Sequence, residues 1–541
     1  MNGPRNLVLA VMFVILASGF SAAATAANIY IAQNAAGGNT GADCADAFAV
    51  SWFNSSANWG SGAAQIGPGT TVHLCGTFNA PAGANGYLSF QGGGNSTSPV
   101  TLLFESGAVL TAPYWGGNGA IFADGVSYIT VDGGSNGVVQ ATANGTALAN
   151  QASTYAVYMQ GVSNSEVKDL TISNIYVHTA DQSDEGGQNS VGLQWSYGSN
   201  VTIDNNTCHD VRSCIIYSYQ GSSTSSNINI FSNTVYNVNW GIIVGDGNGG
   251  ATLNAPVAIH DNTIHDFALW DDNANYNHHD GVYCFSTHPT SSLNACSVYN
   301  NYIYGDPGTH TNTYIFFSEN DSGMACSGMQ AFNNLLVNSA GSTGRVPANG
   351  FVQDWCTNTI VYNNTMVGFS ASDTTGGNMC VALNVGTGLT TKNNICSTVN
   401  LGIYLNNGGS VQLKASDYNN PYIPSYVGSN NVGNYFGTLL NWQTCITDGC
   451  PLVHDMNSTS GNPLLTSSYH LSSSASAAWQ KGANLSSICN GQPSPGLGAL
   501  CLDKAGVQRP STGNWDIGAY EDSAAGGTAP SPPTGLAAMV Q

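Results

Sequence analysis

The chain of 541 residues has only 7% charged side chains, and its 30 acidic residues against 9 basic ones leave a net charge of -21. A surface this negative repels nucleic acid and anionic membranes, so neither is expected as a partner. With 66 glycines, abundant Asn, Ser and Thr and no sustained helical apolar period, the composition predicts a β-rich, turn-rich extracellular fold.

The first element in chain order is a signal peptide. Arg5 precedes the apolar run "LVLAVMFVILA", and the small residues of "SGFSAAATAA" suit cleavage near Ala26 or Ala27, which makes residues 1–27 the leader. That run is too short to span a bilayer and no later stretch is apolar for long enough, so the mature chain is expected to be secreted, extracellular or periplasmic, with no membrane span. All 14 cysteines follow the leader. In an oxidising compartment they predict disulfides, and nearest-neighbour pairing gives Cys44 with Cys75, Cys208 with Cys214, Cys284 with Cys296, Cys326 with Cys356, Cys380 with Cys396, Cys445 with Cys450 and Cys489 with Cys501.

Residues 28–164 read as an N-terminal cap and early coils, with "VTLLFESGAVLTAP" and "VSYITVDGGSNGVVQ" as strands and Gly turns. Over residues 165–420 one phrase recurs: "LTISN", "VTIDNN", "INIFSN", "VAIHDN", "CSVYNN", "MQAFNN", "TIVYNN" and "LTTKNN". These end at Asn174, Asn206, Asn233, Asn262, Asn301, Asn334, Asn364 and Asn394, at spacings of 32, 27, 29, 39, 33, 30 and 30 residues. A unit this short cannot bury its own apolar face and must stack on its neighbours. Most units add a second apolar strand led by Gly, as in "WGIIVG", "DGVYCF", "NGFVQD" and "LGIYLN". Short strands in units of about 30 residues without helices describe the coils of a parallel β-helix. The recurrent Asn is expected to take the left-handed turn conformation and to bond its amide to the same residue in the coils above and below. Residues 421–521 read as C-terminal coils and cap, and 522–541 as a short disordered tail.

The "NN" repeats, with the closing stretches "YHLSSSASAAWQKG", "DKAGVQRP" and "WDIGAYE", resemble the secreted bacterial right-handed parallel β-helix proteins of the pectate-lyase-like superfamily. The resemblance covers roughly residues 28–521 and implies an all-β solenoid. It leaves the activity open, since that superfamily holds lyases, hydrolases, epimerases, esterases and non-catalytic surface proteins.

Insertions in a solenoid collect at turns and build the walls of a groove. The 39-residue interval is the longest, and its surplus holds "WDDNANYNHHDGVY", residues 270–283, where ionisable side chains are concentrated. Sugar chemistry gives a reason for them. A glycosidase needs two carboxyl groups about 5–5.5 Å or 6.5–9.5 Å apart, whereas a lyase needs a base and a cation that neutralises the uronate. The expected catalytic residues are Asp280 with His278 and His279, then Asp266 with His265, and Glu319. Trp270, Tyr276, Tyr283 and Arg212 are expected at the substrate, although Arg212 also fits as the neutraliser of Asp210. Asp271 and Asp272 are the oxygen ligands a Ca²⁺ cofactor would use. Each also has a structural reading: Asp-Gly is a common turn, His-Asp pairs cap corners, and Tyr covers coil surfaces. The sequence thus points to a monomer that handles extracellular polysaccharide, as a hydrolase or lyase, or else as a non-catalytic carbohydrate-binding or adhesion protein.

Overall fold

A computed structural model describes residues 27–522, except residues 63, 181–188, 272–277, 287, 289, 309–310, 320–324, 340–348, 369–378, 406–412, 424, 430–437 and 445–453. The expected leader up to residue 26, the expected pair Cys445 and Cys450, and the residues beyond Asp522 lie outside the described residues. Among those described, no helix is long and apolar enough to cross a membrane.

The chain winds into a parallel β-helix with three walls. Wall A runs through Asn28–Ala32, Thr71–Leu74, Val100–Phe104, Ile129–Asp132, Ser165–Lys168 and onward to Leu413–Asp417, each strand pairing in parallel with the next. Wall B follows in each coil, for example Thr171–Ser173, Thr263–His265 and Tyr302–Gly305, and wall C comes last, for example Val191–Ser196, His279–Ser286 and Thr311–Glu319. In two coils walls B and C are one bent strand, Thr207–Gln220 and Thr234–Asn248.

Alternate residues of each strand point inward, and identical positions stack. On wall C the register runs Leu193, Ile215, Ile242, Val282, Ile315, Val352, Val381, Ile403, all at most 3% exposed. Each such side chain contributes about 1.5–3 kcal/mol by leaving water, which is why units with no core of their own are stable when stacked.

The asparagine column forms at the corner between walls A and B. The amide of Asn206 bonds to Asn233 at 3.0 Å, and the chain continues through Asn262, Asn301, Asn334, Asn364 and Asn394 to Asn419. Each Oδ1 accepts the backbone N–H and side-chain amide of the preceding member, as at Asn301 on Asn334 (3.0 and 3.1 Å). Two details differ from the sequence expectation. Asn174 is not in the column: its place is held by Leu170, whose N–H bonds to Asn206 Oδ1, and Asn174 sits at the next corner. The left-handed residue is not the ladder Asn but the one before it, including Asn205, Asn300, Asn333, Asn363 and Asn393, all at φ of 52–57°. The "NN" pair therefore divides two tasks. The first residue turns the chain and faces outward, and the second turns inward to bond between coils.

The outward members anchor a long C-terminal segment, which runs back along wall A. Asn333 donates to Leu502 O (2.8 Å), Asn363 to Gly518 O (3.3 Å), Asn393 to Ala483 O (2.9 Å), and Lys504 donates to Asn300 O. Beneath it Tyr299, Phe332 and Tyr362 pack with Leu485, Leu500 and Trp515. Buried Arg509 bonds to Glu521 at 2.9 Å and to Asn333 at 3.2 Å.

Six of the seven anticipated disulfides are present, and among the described residues no cysteine is free. This fits an oxidising compartment. Titration of the exported protein with a thiol reagent, denatured but not reduced, is expected to detect no free thiol; two or more equivalents would show that the seventh pair does not form.

Burial of acids sets the pH dependence of stability. Asp354, with no exposed surface, is pushed up to about 7 by burial, against bonds from the Cys356 N–H and Thr359. Burial also raises Glu521 to about 7 and Asp516 to about 6. The native state therefore binds more protons than the unfolded chain between their ordinary values and about 7, so stability falls as pH rises through that window. His470, held by Asp522, is raised as well and adds stability that is lost as pH rises through its folded value. Asp354 alone accounts for on the order of a few kcal/mol. Melting temperature is expected to be higher at pH 5 than at pH 7.5, and the opposite order in a buffer series would contradict this account.

Candidate active site

Insertions gather at the corner between walls B and C. One begins after Thr263–His265 and ends at His278, where wall C resumes as His279–Ser286. Successive side chains of a strand point to opposite sides, so His278 and Asp280 share one face and His279 takes the other. That alternation separates the two histidines of "HHD".

His279 is 0% exposed, with Nδ1 2.6 Å from Asn239 Oδ1 and Nε2 3.1 Å from Asp271 Oδ1. It fastens the insertion to the coil and offers no face to a substrate. Asp271 is likewise buried and turned towards His279, while Asp272 and Tyr276 lie outside the described residues. Among the described residues no three His, Cys, Asp or Glu side chains converge as cation ligands. Trp270 is 1% exposed, its indole stacked on His178 at 4.4 Å and donating to Asn237 O at 3.0 Å. It is a packing residue of the insertion and not a platform for a sugar.

His278 and Asp280 are arranged differently. Asp280 Oδ2 lies 2.8 Å from His278 Nδ1; the carboxyl is 0% exposed and the imidazole 47%. The carboxylate accepts a hydrogen bond from Nδ1–H, so the neutral ring keeps its lone pair on Nε2, which bonds to no described residue. Burial pulls the His278 pKa down, but the charge and hydrogen bond of Asp280 outweigh it and raise the value above that of an ordinary histidine, with Arg212 opposing. Asp280 Oδ1 is also buried and meets no donor among the described residues. A register shift at His279 and Asp280 against Thr311 and Thr313 marks a β-bulge here, a device that re-aims side chains beside functional sites.

Around the imidazole lies a surface of rings. Trp240, paired with Asp280 in the next coil, donates to His278 O at 2.7 Å, and its ring centre is 5.4 Å from the imidazole. The Arg212 guanidinium lies 4.7 Å over the Trp240 ring and is partly desolvated, which lowers its pKa. Asp210, beside which Arg212 was expected as a neutraliser, bonds to His209 at 2.6 Å. Tyr283 meets His278 edge-on at 6.3 Å and stacks on Phe316 at 4.7 Å. Trp240 precedes the Gly of "WGIIVG" as Asp280 precedes the Gly of "DGVYCF", and this shared place in the repeat is the sequence signal that sets the two side by side.

The other expected acids lie elsewhere. Asp266 takes a left-handed corner (φ 60°) and is held by His265 at 2.8 Å, a bond that lowers its pKa. His265 itself stands in a stack on the outer face of wall B, between Tyr236 (5.2 Å) and Tyr304 (4.7 Å). Glu319 pairs with Ser286, six residues along the strand from Asp280, a separation of roughly 20 Å at about 3.3 Å per residue. That is beyond the 5–9.5 Å or so of a glycosidase pair. The ladder neighbours of Asp280 are Trp240 and Thr313, so among the described residues no second carboxyl stands beside it on the ladder.

Solved structures match this chain at low identity. Pectate lyase Pel9A matches at 14% identity and a TM-score of 0.41, over 92% of this chain and 97% of that one. The DFA-IIIase of Arthrobacter chlorophenolicus A6 matches at 12% and 0.35, over 75% and 87%. The family 28 exopolygalacturonase of Yersinia enterocolitica matches at 12% and 0.33, over 68% and 73%. No family model matches the chain, and no curated protein does.

Proposed function

We propose that this protein is a secreted, monomeric polysaccharide-active enzyme, released from its leader near Ala26 or Ala27, whose reaction turns on proton transfer at His278. The observation that carries this reading is the half-exposed imidazole held from behind by a fully buried carboxylate. Such an arrangement fixes the tautomer, directs Nε2 outward and strengthens the base.

The surroundings favour elimination over hydrolysis. Hydrolysis by paired carboxyls needs a second acid within about 10 Å, and wall C presents Trp240 and Thr313 on either side of Asp280. Elimination needs one base and a positive charge at the uronate carboxylate. In that step His278 Nε2 removes the proton α to the sugar carboxylate, the C–H electrons form a carbon–carbon double bond, and the glycosidic oxygen leaves, taking a proton from solvent. Arg212 supplies the charge, and Trp240 and Tyr283 supply ring faces for the sugar.

The test is a screen of plant, algal and bacterial polysaccharides with the purified protein, reading reducing ends and ultraviolet absorbance of unsaturated uronates together. Both signals are expected on a uronate-containing glycan. Reducing ends without absorbance would mean hydrolysis, and binding with neither signal would return the protein to the non-catalytic class.

A further inference from the structure

Wall A carries a second concentration of charge, apart from His278. On its outer face Asp132, Lys168 and Asp204 stand in one column, with Thr130, Glu166 and Thr202 in the column beside it, on three successive coils. Lys168 bonds to Asp132 at 3.2 Å and approaches Asp169 at 3.6 Å. Asp204 is only 5% exposed; Oδ2 accepts from Asn205, while Oδ1 is buried and meets no N–H or O–H donor. Glu166 stands diagonally across from it on the adjacent coil. Burial first, then the charges of Glu166 and Asp169, push Asp204 up to about 7.

Glu166 in turn faces a groove of about 270 Å³ whose lining includes Asn95, Tyr128, Asn164, Asn200 and Thr202. The C-terminal segment packs on wall A from Ala258 onward, well past these coils. We infer that this groove is a second ligand site, and that it takes a neutral saccharide. Asparagine amides and threonine hydroxyls offer both donors and acceptors to sugar hydroxyls, the Glu166 carboxyl accepts from two of them, and Tyr128 provides a ring edge. An acidic glycan does not fit, because the groove is lined by the Glu166 carboxyl and by no basic side chain among the described residues. The two sites thus differ in sign: wall C holds a guanidinium for a uronate, and wall A holds carboxyls for hydroxyls. A branched glycan with acidic backbone and neutral side chains would engage both.

The experiment is calorimetric titration of the mature full chain with xylohexaose, cellohexaose, mannohexaose and a galacturonate hexamer. At least one neutral hexamer is expected to bind, at least tenfold more weakly to Glu166→Gln and to Thr202→Val, and unchanged to His278→Ala. Thermal melts at the wild-type temperature establish that the variants are folded. The inference is overturned if no neutral hexamer binds, if both groove variants bind like wild type, or if the galacturonate hexamer is the ligand that loses affinity on changing Glu166. Failure of the His278 reading leaves these outcomes unaffected, since no arm depends on turnover at wall C.

Discussion

His278→Ala is expected to lower turnover on the identified glycan by about 10²- to 10⁴-fold, the usual contribution of a positioned acid–base group. The side chain is 47% exposed and its one described side-chain hydrogen bond goes to Asp280, so its loss leaves the coil standing. Asp280→Asn is the sharper variant, because it removes charge with almost no change of shape. Asp280 raises the His278 pKa through its charge and hydrogen bond. A base must be unprotonated to act, so the wild-type rate should fall as pH drops through that raised value, above the ordinary histidine range near 6.5. In Asp280→Asn the limb should move to lower pH and the plateau should fall at least tenfold. A carboxylate that only capped the bulge would leave the limb in place, since Asn accepts the same hydrogen bond. Near wild-type turnover with an unmoved limb would remove His278 and Asp280 from the mechanism.

Asn334→Ala is expected to have the largest effect on stability. Asn334 is 0% exposed, its amide donates to Val298 O (2.8 Å) and Asn364 Oδ1 (3.0 Å), and its own Oδ1 accepts twice from Asn301. Alanine leaves those buried partners unsatisfied, each at about 1–3 kcal/mol, and the sum places the variant in the rare class above about 4 kcal/mol. Asn205→Gly is the control from the other half of an "NN" pair. Asn205 is exposed, at φ 54°, a conformation glycine adopts without strain, so it should stay within about 1 kcal/mol of wild type. Denaturant midpoints followed by circular dichroism measure both, and equal midpoints would mean that the column is not what holds the coils in register.

The contrast between these two neighbours marks how far the sequence is readable. The period of 27–39 residues, the apolar alternation and the paired cysteines determine the parallel β-helix, because each is a direct record of stacking: what repeats along the chain lies side by side in space. The position of the long insertion was legible for the same reason. What tertiary structure decided was direction. Each corner residue with positive φ restarts the alternation of inward and outward side chains, so "NN" and "HHD" do not announce which member faces the core. Packing across coils then sorted them: it closed Asn239 and Asp271 over His279, drew Trp270 down onto His178, set Trp240 and Thr313 beside Asp280, and left Glu319 roughly 20 Å along the strand. The sequence by itself determined that charge would collect at one corner of a solenoid. Only contacts between residues many positions apart decided that Asp280 is the buried support and His278 the exposed group it holds, because side-chain orientation at an irregular corner is set by the neighbouring coils and not by the local repeat.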